Sequence, residues 1–147
     1  YRHIAWLAHQ HGIALQMPAM HPFNPLPLLR LCIAAGPNRR VVEALMRHVW
    51  RGGEDAGDAS RIDALTRELA PARDPSSDEV KAELRAATDA AIARGVFGVP
   101  TFELGGRLFW GLEALPMLRA ALLGDAWFDG PTWDEAGRPR PRVSRQR

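Results

Sequence analysis

The residues best placed to do chemistry lie in Gly95-Val96-Phe97-Gly98-Val99-Pro100-Thr101-Phe102 and in Trp110-Gly111-Leu112-Glu113. Neither stretch carries a nucleophile, so what the first one offers is main chain. Pro100 lacks an N–H, which places it at a strand's first residue or on a strand edge. On the dipeptide alone an ordinary trans linkage is favoured, since cis makes up only ~5–6% of X-Pro bonds in folded proteins. A cis Val99-Pro100 bond would turn the N–H and C=O of Val99 outward, where the backbone of a peptide-like ligand could pair with them. The second stretch opens a helix, whose first N–H groups and partial positive charge suit a carboxylate. Glu113 beside it could pair with an ammonium, or it could simply stabilise its own helix start.

Other reactive side chains are scattered. His21 could act as an acid or base near neutral pH, but a histidine beside Pro22 on the surface explains it equally. Asn24 reads either as a ligand contact or as a turn residue bonding its own loop backbone. His3, His9, His11 and His48 show no metal-ligand spacing, and His9 and His11, two apart, do not share a helix face. No zinc ligand set is visible, and no metal is expected. Cys32 is the only cysteine. Without a Cys-x-x-Cys pair the chain cannot run an internal dithiol–disulfide cycle. Cys32 lies in the apolar run Leu28 to Ala35 and reads as a buried small apolar residue.

The elements that must hold these residues follow from spacing and punctuation. Tyr1 to His11 reads as a helix with Ile4, Leu7 and Ala8 on one face, ended by Gly12. Prolines 18, 22, 25 and 27 stiffen the loop that carries His21, Phe23 and Asn24, and a helix follows to Ala35. Asn38 caps a helix to Trp50. Ser60 caps another to about Ala70. Ser76 or Ser77 caps the longest, to about Arg94, with Ser76 and Glu79 fitting a capping box. Its inward face should be Val80, Leu84, Ala87, Ala91 and Ile92. Strands Thr101 to Leu104 and Arg107 to Trp110 flank a Gly105-Gly106 turn, and a last helix runs from near Leu112 to Leu123. Phe109 and Trp110 read as core aromatics, with Trp110 also a pocket wall. Three regions result: a helical part at 1–94, a hairpin–helix part at 95–123, and a largely disordered tail at 124–147, from which Trp127, Phe128 and Trp133 could fold back.

Gly-Val-Phe-Gly-Val-Pro-Thr-Phe, followed by Leu-Phe-Trp-Gly-Leu-Glu-Ala-Leu, closely resembles the 2-hydroxychromene-2-carboxylate isomerases. These group with the kappa-class glutathione transferases and with disulfide oxidoreductases that carry a helical insertion in a thioredoxin-like α/β fold. The resemblance includes His21-Pro22-Phe23-Asn24 and spans Tyr1 to Leu123. It implies the helix, proline loop, hairpin and helix of the C-terminal half of that fold, with the N-terminal strand–helix–strand unit expected to lie outside this sequence. The hairpin should therefore show an exposed edge where a further strand would pair.

The resemblance also implies glutathione as cofactor. It carries over Val99 and Pro100 as the loop holding the cysteinyl part, and Trp110, Gly111, Leu112 and Glu113 as the segment holding the γ-glutamyl end. It places Asn24 at a small aromatic substrate. Two departures stand out: the position of Leu112 is usually polar in the family, and Glu113 stands where Asp is usual. The family's catalytic serine, near the start of the fold's first helix, matches none of Ser60, Ser76, Ser77 or Ser144, so no catalytic residue is assigned. The implied parent is a glutathione-dependent isomerase of bacterial aromatic-compound breakdown, cytoplasmic and allowing a homodimer, while the present stretch alone would be inactive. Two rivals stay open: a thiol–disulfide oxidoreductase with its cysteine pair outside this sequence, and a non-catalytic helical fragment.

Composition narrows the partners. At 46% hydrophobic and 24% charged the 147 residues read as globular. No apolar run reaches the roughly 18 residues of a membrane span, so no membrane partner is expected. The net charge of +2 resides in residues 129–147, where five arginines face three acids. A neutral body argues against nucleic acid as a partner.

Overall fold

A computed structural model describes residues 1–138, and it divides into two compact units, Tyr1–Ala90 and a second from Ala91 onward. The first unit is helical. Its elements are α1 (Arg2–Gln10), α2 (Leu26–Ala35), α3 (Arg39–Trp50), α4 (Ala59–Leu69) and most of α5 (Asp78–Ala93). Helices α2, α3 and α4 pack on one another. Their shared core is Leu28, Leu31, Val41, Leu45, Val49, Leu65 and Leu69, with Ala56 of the α3–α4 loop fully covered. Asn38 caps α3 by accepting the Val41 N–H at 3.1 Å. At α4 the cap is Asp58 rather than Ser60: the carboxylate accepts the Arg61 N–H at 2.9 Å, and the Ser60 hydroxyl donates to it. An ionised acceptor two residues earlier wins the position.

The start of α5 also departs from expectation. Ser77 rather than Ser76 accepts the Val80 N–H, while Ser76 donates to Asp74 and Glu79 reaches Arg73, so the expected capping box does not form. Of the residues at inward spacing on α5, Val80 is fully buried and Leu84 and Ala91 are partly covered, but Ala87 is exposed and Ile92 is 64% exposed. Periodicity identifies a helix face; it does not guarantee that a neighbour covers it.

Loops of this unit are pinned by arginines. The Arg61 guanidinium donates to the carbonyls of Asp55 and His48 at 2.6 and 2.9 Å and pairs with Glu54 at 2.7 Å. The His48 ring donates from Nε2 to the Ala56 carbonyl at 3.0 Å. Arg73, in the α4–α5 connector, donates to the Ile33 carbonyl at 2.7 Å and pairs with Glu83.

The second unit begins with the last turn of α5. The N–H of Val96 bonds back to the Ala91 carbonyl, and Gly95, at φ 82°, supplies the left-handed residue that such a helix end requires. Strands β1 (Thr101–Leu104) and β2 (Arg107–Trp110) pair antiparallel, with Thr101 opposite Trp110 and Phe102 opposite Phe109. These are the boundaries read from the sequence. Among the described residues no third strand joins them, so the sheet's outer edges carry no further strand. Helix α6 (Leu115–Leu122) packs on both strands.

The final helix was expected from Leu112, but residues Leu112–Ala114 form a 3-10 turn and α6 starts at Leu115. Pro116 explains the break. In an α-helix from Leu112 its nitrogen would have to donate to the Leu112 carbonyl, and it has no proton to give. Of the 124–147 stretch, residues Ala126–Asp129 form a 3-10 turn and α7 spans Pro131–Gly137. Phe128 and Trp133 pack on Phe109 beside Leu104, Ala114 and Leu118. Residues 139–147 lie outside the described part.

Candidate functional site

The site is built on the short loop between α5 and β1. The Val99-Pro100 bond is cis. Val99 is 86% exposed, and among the described residues neither its N–H nor its C=O has a hydrogen-bond partner. The loop is fixed from both sides. The Thr101 hydroxyl donates to the Gly98 carbonyl at 2.6 Å, and the Gly111 N–H donates to the Pro100 carbonyl at 2.9 Å. That second bond continues the β1–β2 ladder one step past the Thr101–Trp110 pair, so it binds the loop directly to the Trp110–Glu113 segment.

Two glycines allow this approach. A Cβ on Gly98 would lie 2.5 Å from the Trp110 indole nitrogen. The indole therefore lies over bare backbone, with the Phe97 ring 5.0 Å away by centroid at 52°. Gly111 is buried at φ 88°, and a Cβ there would meet a Glu113 carboxylate oxygen at 2.7 Å. Trp110 is not a core residue: it is half exposed, as is Leu112, while Phe109 on the opposite face of β2 is fully buried. Phe97, exposed beside Trp110, was read only as part of the loop motif. Its role as a wall becomes visible once the strand register places Trp110 over Gly98.

The N–H groups of Leu112 and Glu113 open the 3-10 turn, and among the described residues they have no backbone or side-chain partner. The Glu113 carboxylate likewise has no hydrogen-bond or ion-pair partner among the described residues and is exposed. The loop and turn together present free donors, a free carbonyl and a free carboxylate within a few residues of aromatic surface. Such a set suits an extended peptide bearing both carboxylate and ammonium ends.

Asn24 belongs to the first unit. Its side-chain oxygen accepts the Leu26 N–H at 3.1 Å, the local turn bond that was one of its two readings. His21 is joined to Pro22 by a second cis bond, which the residue types alone do not announce. Its Nδ1 meets the Tyr1 hydroxyl at 3.0 Å, and its ring lies against Tyr1, Phe23 and Trp50. Cys32 is half-buried, and that burial pushes its thiol pKa up, away from thiolate chemistry. Ser60 and Ser76 are occupied with Asp58 and Asp74, and Ser77 with its helix start. Ser144 lies outside the described residues. Among the described residues no three His, Cys, Asp or Glu gather as a metal site, and no helix is long and apolar enough to cross a membrane.

The family model for the DSBA-like thioredoxin domain matches residues 1–123. The chain belongs to that family. Among solved structures, this DSBA-like chain is similar to a 2-hydroxychromene-2-carboxylate isomerase (HCCA isomerase), at 25% identity and a TM-score of 0.66. The match covers 92% of this chain and 68% of that one. No curated protein matches. The DSBA-like fold accounts for the order helix, proline loop, hairpin, helix. The site residues Val99, Pro100, Trp110, Gly111, Leu112 and Glu113 all fall inside the matched segment, as does Asn24.

Proposed function

We propose that this DSBA-like chain contributes the thiol-peptide-holding part of a glutathione-dependent isomerase resembling the HCCA isomerases. One observation carries the reading: among the described residues the peptide groups of the exposed Val99 have no partner, while the loop is tied by the Gly111–Pro100 hydrogen bond. A bound tripeptide can take both groups in one β-type step. Its γ-glutamyl carboxylate finds the free N–H groups at Leu112 and Glu113, and its ammonium the Glu113 carboxylate. Leu112 gives no side-chain hydrogen bond, so main chain bears the carboxylate's recognition. The half-exposed Trp110 and Phe97 rings form an apolar wall against which a small aromatic substrate can lie.

Glutathione bound there would supply a thiolate that adds reversibly to a conjugated substrate carbon and is released unchanged, so no redox partner is required. This chain's residues bind and orient, and none of its described serines is free to act on the sulfur. A dithiol mechanism finds no support within these 147 residues, because Cys32 is single and shielded. The test is calorimetric titration of the protein with glutathione, alongside the γ-glutamyl-free dipeptide Cys-Gly. The reading expects binding of the tripeptide and much weaker binding of the dipeptide. No heat at millimolar glutathione would overturn it.

A further inference from the structure

The family match stops at residue 123, but the hairpin's core does not. Phe109, fully buried, has Trp133 at 5.4 Å and Phe128 at 6.0 Å between ring centroids. Phe128 is itself buried and lies tilted against Trp133 at 5.5 Å, while Trp127 meets both rings edge-on. The segment is also tied by polar contacts. The Arg107 guanidinium, on β2, donates to the Phe128 carbonyl at 2.7 Å and meets Asp129 at 3.2 Å.

These contacts bear on the candidate site through one strand. Phe109 and Trp110 are neighbours on β2 and face opposite ways. Residues 126–133 hold the Phe109 face, and Trp110 on the other face lies over Gly98. Gly111, next in sequence, makes the bond to Pro100. A two-stranded hairpin is marginal by itself in water, so its geometry depends on what covers it. Here α6 packs on both strands, and the segment beyond the family match covers Phe109.

We propose that residues 126–137 are a positioning brace for the candidate site: Phe128 and Trp133 clamp Phe109, Arg107 anchors the clamp, and β2 transmits the constraint to Trp110, Gly111 and the Val99 loop. Its consequence for ligand binding rests on the reading above; the brace itself does not. No residue of the segment touches the proposed ligand groups, so the role is indirect.

The test uses the full chain with Trp133→Ala and Trp133→Phe, followed by hydrogen exchange and glutathione titration. Trp133 is only partly buried, so the alanine variant should fold, and unchanged exchange in α2, α3 and α4 will verify that it has. The brace predicts a rise of roughly tenfold in exchange across residues 95–112 for Trp133→Ala, with substantial recovery in Trp133→Phe. It also predicts weaker glutathione affinity in the alanine variant at an unchanged first unit. Unaltered exchange at 95–112 overturns the brace, as does a phenylalanine variant no better than alanine. If the unsubstituted protein binds no glutathione, the exchange data still decide the brace, and only the ligand reading falls.

Discussion

The Gly111 N–H donates to the Pro100 carbonyl at 2.9 Å, one ladder step beyond the Thr101–Trp110 pair. That bond makes the proline loop and the Trp110–Glu113 turn a single rigid object. It also leaves Val99, the residue just before, with unspent polar groups.

Gly98 tests how closely that object is packed. An alanine there would drive its methyl group into the Trp110 indole, which lies tilted against the Phe97 ring. Gly98→Ala should cost about 1–3 kcal/mol of stability and displace the indole. Denaturant unfolding gives the first number, and the Trp110 side-chain resonances give the second. An unchanged indole environment would contradict the geometry.

Glu113→Gln separates a binding role from a structural one. The carboxylate has no partner among the described residues, so folding stability should change by under about 0.5 kcal/mol, as for ordinary surface substitutions. Glutathione affinity should fall about tenfold through loss of one charge-assisted contact. Thermal melts and calorimetry on the same preparation check both. A large drop in melting temperature with intact affinity would reverse the assignment.

Acid should weaken the first unit in a defined window. Hydrogen bonds from Ser60 and from the Arg61 N–H hold the Asp58 carboxyl below its ordinary range. The Ser76 N–H and hydroxyl do the same for Asp74, and Arg73 does so for Glu83. A carboxyl depressed by folding contributes stability that is complete above its unfolded pKa, roughly 4 for Asp and Glu, and is lost as pH falls through the lower folded value. Thermal midpoints should thus hold from neutrality to about pH 5 and decline below about pH 4. Asp58→Asn keeps a capping oxygen without a titrating one, so its midpoint should fall less steeply with acid. A midpoint that rises on acidification would refute this account.

Leu31 and Ile92 are both apolar helix residues, but only one is covered. Leu31, at 1% exposure, sits in the α2–α3–α4 core, whereas Ile92 is 64% exposed. Leu31→Ala should cost about 2–5 kcal/mol, and Ile92→Ser should stay within about 0.5 kcal/mol. Urea titrations of the two variants give the comparison directly.

The hairpin was fully legible in the sequence because a Gly-Gly turn between two short apolar strands leaves little choice of register. The helix order was legible from proline and glycine punctuation. What escaped were effects that depend on competition between neighbours. Asp58 displaced Ser60 as a cap, and of the two candidates Ser76 and Ser77 only Ser77 caps, because neighbouring acceptors compete and only contacts decide. Pro116 stands in the sequence, and its missing N–H moves the α-helix start from Leu112 to Leu115. That Phe128 and Trp133 fold back was foreshadowed by their aromatic character, but that Phe109 is what they cover needed tertiary contacts that no periodicity encodes. At the site, the loop was foreshadowed by residue types, but its tie to Gly111 was not. The indole over Gly98 was not, since it depends on which face of β2 each ring takes.

Val99 contributes to the loop through atoms that every amino acid shares. Under the proposed reading, its side chain can drift among isoleucine, threonine or alanine without altering what a bound peptide meets, and selectivity among thiol peptides falls to the residues around it, beginning with Leu112 and Phe97. An engineer wishing to retune the loop would leave Val99 alone.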